Sequence, residues 1–83
     1  MAYMLSGMTH LPTTALVAEV RAEMGRRGVT ATTLAAASDI SQPALSRKLR
    51  GSRDFSLTEI LRVCDALDVR LADLAQRAEG VAA

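Results

Sequence analysis

The stretch TTLAAASDISQPALSRKLRG, Thr32 to Gly51, constrains this chain most. An Ala-rich helical run breaks at Asp39. A second run begins behind Ser41-Gln42-Pro43, a hydrogen-bonding cap with proline in the first turn, where its missing N–H costs little. Two helices this short are marginal in water alone, since isolated helices below about 12–15 residues rarely persist. They require partners, and the rest of the chain has to supply helices that bury them.

The remaining sequence does so. Thr13 or Thr14 caps a first helix in which Leu16, Val17, Val20 and Met24 recur at helical spacing, with Glu19, Arg21 and Glu23 elsewhere on the wheel. Arg26, Arg27 and Gly28 end it, cations at the C-terminal dipole and glycine at the stop. Thr30 caps a second helix over Ala31 to Ser38, with Leu34 and Ala35 inward. Asp39 then takes the turn, where a left-handed residue is needed, and Ile40 plugs the turn into the core. The third helix spans Gln42 to Arg50, with Leu45 and Leu49 inward and Gly51 as its end.

Ser56-Leu57-Thr58-Glu59 is a capping box for a fourth helix reaching Leu67, whose inward set is read as Leu57, Ile60, Leu61, Cys64 and Leu67. A fifth helix over Leu71 to Ala78 turns Leu71 and Leu74 inward and stops at Gly80. Residues 1–12 show no period and contain Gly7 and Pro12, which reads as a flexible arm; residues 13–83 form the domain. The expected fold is all-α, a compact five-helix bundle with a helix-turn-helix. An apolar fraction supplied by Ala, Leu and Val, with Tyr3 and Phe55 as the aromatics, argues against a sheet.

The net charge of +1 conceals a division along the chain. Residues 26–53 carry Arg26, Arg27, Arg47, Lys48, Arg50 and Arg53 against Asp39 alone. Residues 54–83 carry Arg62, Arg70 and Arg77 against Asp54, Glu59, Asp65, Asp68, Asp73 and Glu79. A basic middle and an acidic end suggest one face for a polyanion and another for solvent or a partner; the bland alternative is ordinary surface scatter. A helix with an uncharged, hydrogen-bonding start and a basic end suits the DNA major groove.

Gly28-Val29-Thr30, Leu34-Ala35, Ile40-Ser41, Leu45-Ser46-Arg47, Gly51 and Val69 through Leu74 stand in the order of a known family. Together they resemble the helix-turn-helix domain of the lambda-repressor/Cro type, the XRE family. Three positions depart from it: Ala31 stands where the family often has a phosphate-clamping Gln, Asp39 replaces the turn glycine, and Lys48 occupies a commonly apolar position. The resemblance implies a sequence-specific regulator of bacterial or phage type, a repressor in the simplest case, binding a double-stranded DNA operator as a possible homodimer.

With Leu45 and Leu49 inward, Gln42, Pro43, Ser46 and Arg47 project outward as candidate base contacts. Gln42 suits adenine, Arg47 suits guanine, and Pro43 with Ala44 suits a thymine methyl. Lys48, Arg50 and Arg53 suit phosphates, Ser52 adds a neutral contact, and Thr32 or Thr33 substitutes for the missing Gln. Alternatives stay open: Gln42 as a solvated first-turn residue, Arg47 on phosphate rather than base, and Arg26 and Arg27 as a solvated helix end.

Catalysis is not expected. The chain has no nucleophile elbow, P-loop or metal-ligand spacing, and no cofactor or small-molecule ligand is implied. Cys64, the single cysteine, rules out an internal disulfide and reads as a core residue; His10 has no nearby second ligand. No apolar run approaches the ~20 residues of a membrane span, and the start lacks a signal-peptide pattern, so a cytoplasmic protein is expected. A second reading is an antitoxin-like interaction module, with the acidic helices or Tyr3-Met4-Leu5 contacting a partner protein.

Overall fold

The computed structural model describes residues 13–82, and five helices account for its regular structure. They are α1 (Thr13–Arg27), α2 (Ala31–Ser38), α3 (Gln42–Leu49), α4 (Leu57–Ala66) and α5 (Leu71–Ala82). The arm expected over residues 1–12 lies outside the described residues.

The first four helices end in the same way. Gly28, Asp39, Gly51 and Asp68 all take positive φ, at 65°, 56°, 82° and 54°. The residue after each donates its N–H back across the turn: Val29 to Met24 O, Ile40 to Ala35 O, Ser52 to Arg47 O and Val69 to Cys64 O, at 2.9–3.1 Å. This is the Schellman termination, which satisfies helix-end carbonyls and folds the next residue back onto the helix. Val29, Ile40 and Val69 are apolar and pack on the core. The expected left-handed Asp39 and the Ile40 plug are found; the second left-handed aspartate, Asp68, went unread in the sequence.

Each helix delivers at least one residue of zero exposure to the core: Val20, Leu34, Leu45, Val63 and, from α5, Leu74 and Ala78. α1 packs chiefly on α5, and α2 chiefly on α4 and α3. The inward stripe of α4 is Ile60, Val63, Cys64 and Leu67, all buried, whereas Leu57 and Leu61 are 67% and 48% exposed. The sequence expectation for Leu57 and Leu61 is thus corrected. Starting the stripe at Leu57 rotated it by about one residue, and the packing against α2 selects the face that includes Val63. α5 also runs through Gly80, the expected stop, to Ala82. An exposed helical glycine costs only about 1 kcal/mol, and burial of Leu74 and Ala78 against the core outweighs it.

Glu23, which the helical wheel places only off the apolar stripe, is buried. Its carboxylate accepts from Arg26 at 2.7 Å, Arg27 at 2.6 Å and Arg77 of α5 at 2.9 Å. The hydrogen bonds from Arg26 and then Arg27 hold its carboxyl at about 2, against an ordinary 4.5; desolvation opposes this and Arg77 reinforces it. Ser38, also buried, donates to Leu34 O at 2.6 Å and leaves no orphan group.

Two outcomes follow from this packing. In chemical denaturation, Ile60→Ala loses about 2–5 kcal/mol, while Leu61→Ala, one residue on, changes stability by no more than about 0.5 kcal/mol. Because the Glu23 pKa is depressed, its contribution is complete above pH 4.5 and disappears as pH falls toward 2. Denaturation measured across that window steepens with acid in the native protein and is flatter in Glu23→Gln.

Candidate nucleic-acid interface

α3 has eight residues and is held from both ends. Ser41 Oγ accepts from the Ala44 N–H at 3.3 Å, and Pro43 lies in the first turn. At the far end Arg21 of α1 donates to Leu49 O at 3.1 Å, placing a cation on the C-terminal carbonyls. Leu45 and Leu49 are buried, at 0% and 8% exposure. Burial of that face turns Gln42, Pro43 and Arg47 into solvent, with Ser46 half-buried beside them. Ala44, paired with Pro43 in the sequence reading, instead packs partly against the core.

The flanks add donors. Thr32 and Thr33 are exposed at the start of α2. The Thr30 hydroxyl caps that helix, accepting from the Thr33 N–H at 3.2 Å and donating to the Thr33 hydroxyl at 3.0 Å. Beyond α3, Arg50, Ser52 and Arg53 are exposed, and Arg50 and Arg53 border a shallow pocket with Arg21 and Asp54. Among the described residues no carboxylate pairs with Arg47, Arg50 or Arg53. They are three cations on one stretch of chain, available to an anionic partner.

Lys48 stands apart from the other candidates. Its ammonium donates to Asp54 O at 3.2 Å and lies 3.3 Å from Glu59 Oε1, with the side chain only 13% exposed. The ammonium is engaged within the protein rather than held out toward solvent. The Ser56 N–H, then Lys48, hold the Glu59 carboxyl below its ordinary range, with burial opposing. Arg26 and Arg27 are tied to Glu23. The sequence reading passed over two contributors, Arg21 and Glu59's bond to Lys48, because both contacts join different helices and depend on how those helices pack.

Among the described residues no group of three or more His, Cys, Asp and Glu is placed to hold a metal, and no helix is long and apolar enough to cross a membrane. Burial pushes the Cys64 thiol upward, as expected of a thiol in a core.

A helix-turn-helix with a buried apolar face on its second helix and a polar, cationic opposite face defines a nucleic-acid-binding class. A family model for the Cro/C1-type HTH DNA-binding domain matches residues 19–78, most of the chain, and the protein belongs to that family. No curated protein and no solved structure gives a significant match to the chain.

The Asp39 turn that sets α2 against α3 yields a test. Asp39→Gly removes the steric cost of a side chain at φ 56° and raises stability by up to about 1 kcal/mol, read from thermal or urea denaturation.

Proposed function

We propose that this protein is a sequence-specific regulator that occupies an operator by inserting α3 into the major groove, acting most simply as a repressor that excludes polymerase. The observation that carries this reading is the division of α3: Leu45 and Leu49 in the core, Gln42, Pro43 and Arg47 in solvent. Gln42 bonds adenine N6 and N7, Arg47 bonds guanine O6 and N7, Pro43 meets a thymine methyl, and Ser46 accepts or donates beside them. Each good bidentate pair contributes about 1–3 kcal/mol of discrimination. Arg50 and Arg53 take phosphates, with Thr32, Thr33 and Ser52 as neutral contacts.

Two half-sites about one helical turn apart suit a homodimer of this motif. The exposed Leu57 and Leu61 on α4 favour a second reading as well, a protein contact made either by a second copy or by a different partner.

Selection of duplexes from a random pool tests the reading. An enriched inverted repeat, bound about 10³-fold more tightly than scrambled DNA, supports a dimeric operator reader. Weak, steeply salt-dependent binding to every duplex removes it and leaves the protein-contact reading in front. On the selected site, Arg47→Ala relaxes preference at one base position. Arg53→Ala weakens all sequences alike and lowers the salt slope by about one. Equal losses on all sequences for both variants remove Arg47 from the base-reading set.

A further inference from the structure

We propose that Lys48 and Glu59 act as a brace that pre-orders the α3–α4 loop for the DNA backbone, so that Lys48 is a positioning residue rather than a phosphate ligand. The inference rests on the major-groove reading above and assigns one of its basic residues a different role.

The loop from Arg50 to Ser56 carries Arg50 and Arg53, which have no carboxylate partner among the described residues, together with Ser52. It is tied at its start, where the Gly51 N–H donates to Lys48 O at 3.1 Å and the Ser52 N–H donates to Arg47 O at 2.9 Å. At its end the Ser56 N–H donates to Glu59 Oε1 at 2.8 Å, and the Glu59 N–H donates to Ser56 Oγ at 3.1 Å. Lys48 closes the middle. Its Nζ reaches the Asp54 carbonyl at 3.2 Å and the same Glu59 Oε1 at 3.3 Å. One carboxylate oxygen therefore joins the recognition helix, the loop and the start of α4.

Two physical consequences follow. The side chains are 13% and 24% exposed, so the pair is better shielded than an open surface bridge, and holding it costs less ordering at the moment of DNA binding. The pair is also neutral, so Lys48 adds no uncompensated charge to the face that meets phosphate. A brace and a phosphate ligand thus differ in their response to losing the carboxylate. Loss of Glu59's charge loosens a brace, whereas it releases a ligand and brings DNA more tightly to the protein.

The experiment measures binding of the selected duplex across a salt series for wild type, K48M, E59Q and the double variant. K48M keeps the aliphatic stem, and E59Q keeps a capping-box side chain at its position; circular dichroism verifies that each is helical. The brace predicts that K48M and E59Q each weaken binding about three- to tenfold, with salt slopes like wild type and a double variant no weaker than the worse single. It also predicts, without DNA, faster amide exchange across Gly51–Phe55 in K48M, with Leu34 and Val63 amides unchanged. A slope lowered by about 0.9 in K48M together with tighter binding by E59Q makes Lys48 a phosphate ligand and overturns the proposal. Unchanged affinity and unchanged loop exchange overturn it as well. Failure of wild type to prefer any duplex instead overturns the major-groove reading, and the brace with it.

Discussion

A helix of eight residues does not persist in water, and everything proposed for this protein depends on α3 persisting in one orientation. Its order is imposed from outside. Leu45 and Leu49 are driven into the centre shared by all five helices, Ser41 satisfies an N-terminal donor, and Arg21 reaches from α1 to the last carbonyl. Just before it, the left-handed Asp39 and the buried Ile40 fix the angle at which α3 leaves α2. Burial of one face settles the exposure of the other. Gln42, Pro43 and Arg47 face solvent because the two leucines do not.

Electrostatics then sorts the basic residues by what each has already found. Glu23 gathers Arg26, Arg27 and Arg77 and ties α1 to α5, at a site where a buried carboxylate needs such partners. Glu59 gathers Lys48. What is left unpaired among the described residues on this side is Arg47 on α3 and Arg50 and Arg53 just after it. The excess of positive charge seen in the middle of the sequence is therefore narrower in the fold, and it is concentrated on α3 and the loop that follows it. Membership of the Cro/C1-type HTH family accords with that concentration.

Much of this was legible in the sequence because it is local. Caps at Thr30, Ser41 and Ser56, the turn at Asp39 and the inward pair Leu45 and Leu49 each depend on residues within a few positions. The errors arise where a tertiary neighbour decides. Leu57 and Leu61 fit a helical stripe as well as Ile60 and Val63 do, and only the approach of α2 distinguishes the two faces. Glu23 looks like surface charge until Arg77, 54 positions away, is placed against it. Lys48 and Arg50 look alike as letters; Glu59 separates them. Gly80 reads as a helix stop, yet the packing of α1 on α5 carries the helix past it.

The central claim is that α3 reads bases from the major groove, and methylation interference on the selected duplex tests it most directly. Methyl groups on guanine N7 lie in the major groove, and those on adenine N3 lie in the minor groove. The account predicts that N7 methylation within each half-site blocks binding, and that Arg47→Ala abolishes the block at one guanine while leaving the others. Interference confined to adenine N3, or none at all, would contradict it.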